Sequence, residues 1–183
     1  VRSIREEGAV VSTWGIGTKL ACASDQPTLG GVYKLSAVKP NGSDEWVNRV
    51  KVSGSVTKLT FPGVLDIRRY YRDNGLLAGD MVFDTNGTIN EEERIVDPFD
   101  DMRQKVLGGL RYETLLKPLA RAGEVVLPAE YRDAMAAAQR TKTGLDQLHE
   151  SQKRMLNPHS YPVGLEATLA RERRTMVDRL VTA

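Results

Sequence analysis

The sequence lacks most features that mark secreted, membrane-bound and zinc-binding proteins. Its 183 residues include one cysteine, Cys22, so no internal disulfide can form, and we expect a protein of the reducing cytoplasm. Alanines on both sides of Cys22 predict a small buried apolar residue rather than a nucleophile. No apolar run approaches the ~20 residues of a membrane span, and no signal peptide opens the chain. The two histidines, His149 and His159, have no cysteine near them, so we expect no metal site.

An excess of charge of one sign is also lacking. The formal net charge is +2 with basic and acidic residues interspersed, so the sequence predicts neither a nucleic-acid partner nor a membrane-binding surface. The carboxylates of Glu91 to Glu93 have no calcium-loop spacing, and we interpret residues 85–109 as an acidic surface loop. With 40% hydrophobic residues, the chain is long enough for one ordinary core, alone or with an appendage.

What is present is a glycine-containing turn near the start of the chain. The apolar, β-branched run Val10–Trp14 predicts a buried strand, and Gly15-Ile16-Gly17-Thr18 follows it. Two glycines separated by one residue remove the Cβ atoms that would keep a ligand from the backbone, so successive N–H groups can converge on an oxyanion. A helix that begins at Lys19 would also favour a phosphate at its N-terminus. Gly15, Ile16, Gly17 and Thr18 are therefore the candidate phosphate-binding residues.

A purely structural corner is the alternative interpretation of this turn, because strand-glycine-helix turns are frequent. Two better-known phosphate motifs are excluded. Leu20 stands where the dinucleotide fingerprint has its third glycine, and the sequence contains no Gly-Lys-Ser or Gly-Lys-Thr run. The turn by itself leaves both interpretations open.

Longer strings resemble the C-terminal part of the nicotinate phosphoribosyltransferase family. The resemblance covers nearly the whole chain and keeps the order of the family's motifs. The strings that carry it are Gly15-Ile16-Gly17-Thr18, residues 25–35 (DQPTLGGVYKL), Phe61-Pro62-Gly63, residues 68–72 (RRYYR), Gly79-Asp80-Met81 and residues 156–163 (LNPHSYPV).

The resemblance implies an α/β fold: the last part of a phosphoribosyltransferase-type α/β barrel, followed by an antiparallel β-rich segment and C-terminal helices. Residues 1–31 would form the terminal βα unit of the barrel with the phosphate loop, and residues 32–84 the β-rich sheet segment. Residues 85–126 would hold the acidic loop and a strand, and residues 127–183 the helical segment. Phosphate sites of such barrels collect at the loops after the last strands. The resemblance assigns the loop to the 5-phosphate of phosphoribosyl pyrophosphate and of the mononucleotide product.

Local patterns predict the elements within these segments. Apolar runs between turn residues predict strands at 32–38, 46–52, 56–60, 65–71, 76–83 and 111–119. Arg68 and Arg69 would point to opposite faces of a strand, and we interpret them with Arg72 as solvated charges rather than as an anion site. Helical spacing predicts one helix that begins near Pro128, is broken or bent at Gly144 and ends at Asn157. It also predicts a last helix whose apolar face consists of Leu165, Leu169, Met176 and Leu180.

The reaction that the resemblance implies joins nicotinate to phosphoribosyl pyrophosphate, releases pyrophosphate and uses ATP hydrolysis through a phosphorylated histidine, in NAD biosynthesis and salvage. Nicotinate and phosphoribosyl pyrophosphate would be the substrates, ATP and Mg the cofactors, and a homodimer the working form. No catalytic residue can be assigned in this chain, and no residue can be assigned to ATP or Mg.

Alternative hypotheses come from the start of the sequence. The chain does not open with methionine, and Ser3 to Gly8 predicts the end of a helix that glycine stops, so we expect the chain to begin inside a fold and to be inactive alone. It could then be a non-catalytic fragment or assembly module that needs a companion N-terminal chain. A sibling pyridine phosphoribosyltransferase that uses nicotinamide or quinolinate is the closer competitor.

Overall fold

The fold is that of a computed structural model, which describes residues 2–25, 27–28, 31–51 and 60–181. The chain forms two compact units, Val1–Lys34 and Leu35–Ala183. Most of the predicted strand at 56–60 lies outside the described residues, as does part of the turn at 25–31. None of the helices in the described ranges has the length and apolarity that crossing a membrane requires.

The first unit contains two short helices, α1 (Arg2–Glu6) and α2 (Thr18–Ala21), joined by irregular backbone. As predicted, α1 ends at a glycine: Gly8 has a φ of +88°, a conformation that glycine adopts at helix C-termini without a Cβ penalty. The predicted strand at Val10–Trp14 is wrong. A β-branched run becomes a strand only when a neighbour takes up its backbone hydrogen bonds, and these residues have no strand partner within the described part of the unit.

The described residues of the second unit, 35–51 and 60–181, form ten strands and two longer helices. A six-stranded sheet has the order β6-β5-β10-β4-β3-β7, and two small hairpins pair β1 with β2 and β8 with β9. The strands are β1 (Ala37–Val38), β2 (Val47–Asn48), β3 (Leu65–Tyr71), β4 (Leu77–Asp84), β5 (Arg94–Asp97), β6 (Asp100–Val106), β7 (Arg111–Thr114), β8 (Ala120–Arg121), β9 (Glu124–Val125) and β10 (Val163–Glu166).

The β3–β4 hairpin is the centre of the sheet and matches the predicted strands at 65–71 and 76–83 within one residue. Its turn contains Gly75 at φ +80°, whose N–H donates to the carbonyl of Arg72 over 2.9 Å. The strands predicted at 32–38, 46–52 and 111–119 are present only as the shorter β1, β2 and β7.

The described strand pairs within residues 32–84, β1 with β2 and β3 with β4, are antiparallel as predicted. The six-stranded sheet extends beyond that segment and is mixed, because β10 pairs with β4 in parallel and with β5 in antiparallel register. The prediction of one acidic loop at residues 85–109 is wrong, because these residues contain β5 and β6. The burial pattern explains this error: Ile95 is the buried apolar residue of β5, and most of the edge strand β6 is exposed, so neither strand has a strong apolar alternation.

The helices also differ from the prediction. A 3-10 turn (Ala129–Tyr131) precedes α3 (Ala134–Asp146), which begins after Asp133, whose carboxylate accepts from the N–H of Ala136 over 2.7 Å. Gly144 lies inside α3, and a second 3-10 turn (Glu150–Gln152) follows the helix. The last helix, α4 (Ala167–Val181), starts only after Leu165, which lies in β10.

The core of the second unit lies on the central hairpin. Tyr70, Ala78, Met81, Ile95 and Leu107 form the buried cluster, and the partly buried Phe83, Ile89 and Leu110 pack against it. The sheet unit therefore contains a hydrophobic core of its own, formed by residues far apart in sequence.

Candidate functional site

The glycine turn predicted to bind phosphate lies in the first unit, directly before α2. Gly17 is the N-cap residue of α2, and no side chain caps it. The first backbone bonds of the helix run from the N–H of Leu20 and of Ala21 to the Gly17 carbonyl, over 3.0 and 3.3 Å. The N–H groups of Thr18 and Lys19 precede these donors, so they have no partner within the helix and are open to an external acceptor.

Space is available at this turn, because a Cβ built on Gly15 or on Gly17 meets no atom within 4 Å. Gly15, Ile16, Gly17 and Thr18 are all exposed. The structure thus brings the four predicted residues together ahead of a helix, as the sequence indicated. A helix of four residues has little macrodipole, so free N–H groups and open space are what the turn offers to an anion.

Cys22 differs from its prediction. It is an exposed free thiol just after α2, not a buried apolar residue, because the described residues of this unit provide no core to receive it.

The strongest polar cluster lies in the sheet unit and centres on Asp80. The guanidinium of Arg69 donates twice to this carboxylate, Nε over 3.0 Å and Nη2 over 2.7 Å, and the hydroxyl of Tyr161 donates to it over 2.8 Å. The hydrogen bond to Asp80 raises the pKa of Arg69, and burial raises the pKa of Tyr161, to which the bond with Asp80 adds. The hydrogen bonds among Arg69, Asp80 and Tyr161 therefore connect β3, β4 and the segment before β10.

Arg68 points to the opposite face from Arg69, as the alternation of a strand predicts. Its Nη1 donates to Glu93 over 2.6 Å, and its guanidinium lies over the ring of Tyr112, 4.2 Å from the centroid. The interpretation of Arg68 and Arg69 as solvated charges is therefore wrong, since each is a half-buried ion pair. Neither is free for an external anion.

Buried carboxylates outside this cluster accept hydrogen bonds from backbone N–H groups rather than face a ligand. Glu166 is 2% exposed, and it accepts from the N–H groups of Thr168 and Leu169 at the start of α4 and from that of Asn90. Within the ranges that the structure describes, no three His, Cys, Asp or Glu side chains lie close enough to hold a metal ion.

Asp80 and Tyr161 are the polar residues that reasoning from the pattern missed. Both stand in strings that carry the family resemblance, Gly79-Asp80-Met81 and residues 156–163. The structure joins the two strings through the Tyr161–Asp80 hydrogen bond of 2.8 Å and through the backbone bond from the Asp80 N–H to the Pro162 carbonyl, 3.0 Å long. Nothing in the local pattern relates two residues 81 positions apart, so pairing of β4 with β10 was needed to find the contact.

Comparisons with known proteins were made with the whole chain. Residues 66–173 match the family model of the nicotinate phosphoribosyltransferase C-terminal domain. A Bacillus subtilis nicotinate phosphoribosyltransferase is 29% identical over 168 residues, which cover 90% of this chain and 34% of that protein. The human protein of the same name is 28% identical over 169 residues, covering 91% of this chain and 30% of that protein.

A solved structure is similar in fold. The crystal structure of human nicotinic acid phosphoribosyltransferase superposes with a TM-score of 0.51 and 20% identity, over 64% of this chain and 24% of that one. The chain spans about a third of the length of the curated relatives that it matches, 34% of the Bacillus subtilis protein and 30% of the human one. Since the family model covers more than half of the sequence and includes the central sheet, the chain belongs to the nicotinate phosphoribosyltransferase family, through its C-terminal domain.

Proposed function

We propose that this chain is the C-terminal portion of a nicotinate phosphoribosyltransferase, which makes nicotinate mononucleotide from nicotinate and phosphoribosyl pyrophosphate with ATP hydrolysis, for NAD biosynthesis. The observation that carries the proposal is the match of residues 66–173 to the C-terminal domain of that family, together with relatives of that name aligned over about nine-tenths of the chain. The complete reaction would then need residues that this chain does not contain.

The glycine turn is the part of the chain that would contact substrate. We propose that Gly15, Ile16, Gly17 and Thr18 hold the 5-phosphate of phosphoribosyl pyrophosphate. Its support is the open space at both glycines and the unpaired N–H groups at the start of α2. The Thr18 hydroxyl would add one donor.

This role is orientation rather than bond making. Cleavage of the bond between ribose and pyrophosphate gives the anomeric carbon oxocarbenium character. A fixed 5-phosphate fixes where that carbon lies relative to nicotinate, and such positioning lowers the barrier without a catalytic side chain from this turn. ATP and Mg belong to the proposed reaction. Within the described residues no group of three His, Cys, Asp or Glu side chains could hold a metal ion, and we assign no step through Mg or ATP to this chain.

The proposal predicts the effect of a branched side chain at Gly17 in a complete enzyme of this sequence. Because the space around Gly17 is empty of protein atoms, Gly17→Val should fold normally but obstruct the phosphate. Loss of one or two charge-assisted hydrogen bonds, at about 1.5–3 kcal/mol each, should weaken phosphoribosyl pyrophosphate binding at least ten- to hundredfold. Thr18→Val, which keeps the shape and removes one hydroxyl, should have a milder effect.

Titration of each variant with phosphoribosyl pyrophosphate, with a melting curve alongside, tests this prediction. Unchanged affinity with a lower melting temperature would leave the turn as a structural corner only. It would remove the phosphate role and leave the family assignment intact, since that assignment rests on residues 66–173.

We further propose that the working form contains more than this chain, either a homodimer of complete subunits or a pair with a companion N-terminal chain. Val10, Tyr33 and Leu20 are exposed in the first unit, and apolar side chains of this size are usually covered in a functional assembly. The purified 183-residue chain should therefore form no nicotinate mononucleotide, which chromatography of a reaction with both substrates and ATP would check. Product formation by the chain alone would overturn this proposal.

A non-catalytic assembly module is the second candidate. It is favoured by the polar clusters of the described sheet unit. Their carboxylates, Asp80 and Glu93, are hydrogen-bonded to protein side chains rather than directed at a substrate. If the chain restored activity when mixed with a separately produced N-terminal part, the first proposal would hold. Binding to that part without activity would favour the module. A preference for nicotinamide or quinolinate in the restored enzyme would instead assign it to a sibling reaction.

A further inference from the structure

A polar cleft of about 470 Å³ opens on the sheet unit, where the β3–β4 turn, β6 and the segments on either side of residues 153–158 meet. We name it the basic cleft. Its nitrogen-bearing and hydroxyl side chains include Arg72, Lys105, His149, Ser151, His159 and Ser160. Its volume lies within the roughly 300–1,000 Å³ that is usual for small-molecule sites.

The charges of the basic cleft are not balanced by protein. None of its described lining residues carries a carboxylate. Arg68 and Arg69 each have a carboxylate partner, whereas Arg72 and Lys105 make no ion pair with any residue in the part of the chain that the structure describes. Lys105 is partly removed from water, and such an unpaired cation costs free energy that an anion in the cleft would offset.

Lys105 is the residue for which the missing carboxylate partner matters most. It is half-buried on β6, and its Nζ donates to the backbone carbonyl of Ala78 over 2.6 Å, which leaves two of its three donors. Burial lowers the pKa of this ammonium, and the nearby charge of Arg72 lowers it further. A bound anion would stabilise the charged ammonium and so offset this lowering of the pKa.

The cleft also contains a histidine whose ring is held in place. Nδ1 of His149 accepts from the backbone N–H of Ser151 over 3.2 Å, which caps the 3-10 turn, and lies 2.8 Å from the Ser151 hydroxyl oxygen. With Nδ1 as acceptor, the other ring nitrogen, Nε2, is a donor. The backbone N–H of His159 donates to the Ser151 carbonyl over 2.9 Å, so the two histidine segments are fixed to each other.

Backbone hydrogen bonds also fix these segments to the sheet. The N–H of Leu77 donates to the carbonyl of Gln147 over 2.9 Å, and the N–H of Asp80 donates to that of Pro162 over 3.0 Å. The donors are therefore held in place before any ligand arrives, which lowers the entropy cost of binding.

From this arrangement we infer that the basic cleft binds a phosphate group, held by Lys105 and Arg72 with donors from His149 and the neighbouring serines. Phosphate is the anion that such a set suits, because it accepts several charge-assisted hydrogen bonds at once. The cleft lies in the sheet unit and shares no residue with the glycine turn, so the inference goes beyond the proposed substrate site. The ligand is either free phosphate or a phosphate monoester.

Calorimetric titration of the full 183-residue chain tests the inference, with inorganic phosphate, ribose 5-phosphate and ribose as three probes. Both phosphate compounds should bind, and ribose should not. Tighter binding of ribose 5-phosphate identifies a monoester site, and equal affinities identify a free-phosphate site. Dissociation constants weaker than about 10 mM for both phosphate probes, or equal binding of ribose, would overturn the inference.

Variants locate the bound phosphate. Lys105→Met and Arg72→Gln should each weaken binding roughly ten- to a hundredfold, while Lys105→Arg should retain it. Lys117→Met is the matched control, since Lys117 is an exposed lysine that also donates to a backbone carbonyl, that of Thr114. It should leave the affinity unchanged.

Two results would overturn the assignment: full affinity in both cleft variants, or an equal loss in Lys117→Met. Full affinity in both cleft variants would place the bound phosphate outside the basic cleft. Circular dichroism confirms that each variant is folded. If Lys105→Met failed to fold, Arg72→Gln would still decide the matter, because Arg72 is exposed and its side chain makes no structural bond in the described chain.

Discussion

The two units of the chain differ in how far their apolar side chains are buried. In the first unit, Ala9 and Trp14 are half-buried and every other described residue is exposed, including Tyr33 at 100%. In the sheet unit, Tyr70 and Met81 are 0% exposed, and the core joins three strands and two loops. Burial of apolar area is the main favourable contribution to folding, so the sheet unit stabilises itself and the first unit does not.

The difference in burial indicates which residues stabilise the fold and which are available for contacts outside it. The sheet unit uses its charged residues within the fold, as the Arg69–Asp80 and Arg68–Glu93 pairs do. The first unit leaves its backbone and its apolar side chains open, which suits a segment that contributes to a site or an interface rather than to a core. Substitutions at matched positions in the two units test the comparison.

The largest expected effect is on a core tyrosine. Tyr70→Ala should lower the free energy of unfolding by about 3–5 kcal/mol, because it removes a fully buried ring that packs at 5.5 Å, centroid to centroid, from the ring of Tyr112. Tyr33→Ala, at a fully exposed ring of the first unit, should change it by less than about 0.5 kcal/mol. Urea unfolding followed by circular dichroism measures both. Similar losses in the two variants would mean that the first unit is buried in solution.

A smaller effect is expected where a glycine is required by close packing. A Cβ on Gly164 of β10 would lie 2.7 Å from the Val96 carbonyl oxygen of the neighbouring strand, so Gly164→Ala should cost about 1–3 kcal/mol of unfolding free energy. Gly15→Ala should change stability by less than about 0.5 kcal/mol, since nothing lies within 4 Å of its Cβ. The same unfolding experiment compares the two. An undiminished stability of Gly164→Ala would show that β5 and β10 can separate at little cost.

The smallest effect concerns the pH dependence of stability. Burial, with the hydrogen bond that Tyr71 donates to Glu113, raises the pKa of the Tyr71 hydroxyl to about 12. An unfolded tyrosine ionises near pH 10, so between about pH 10 and 12 the unfolded chain binds fewer protons than the folded one. The contribution of Tyr71 is therefore complete below pH 10 and is lost as the pH rises through about 12.

Tyr71→Phe should make the fall of the melting temperature over this range shallower but not abolish it, because burial raises the pKa of Tyr70 to about 12 as well. Tyr33→Phe, in the first unit, should leave the slope unchanged. Melting curves at intervals from pH 9 upward measure the slopes. Parallel curves for Tyr71→Phe and the unsubstituted chain would contradict the prediction.

The sequence predicted the elements whose signal is local. Turn residues Asn74 and Gly75 between two apolar runs defined the β3–β4 hairpin, and Gly8 marked the end of α1. The glycine turn was recognised as a unit before a helix, and its phosphate role stays a prediction. The extent of the helix after Pro128 and the mixed sheet were not predicted, because both depend on packing between distant segments.

The sequence by itself determined the family, through strings spread over the chain, and the alternation that places Arg68 and Arg69 on opposite faces. Only the tertiary structure decided what those residues contact. Parallel pairing of β10 with β4 brings Tyr161 to Asp80, and the segment before β10 meets β6 at Lys105. Contacts between residues so far apart in sequence follow from strand order and register, which no local pattern of side chains contains.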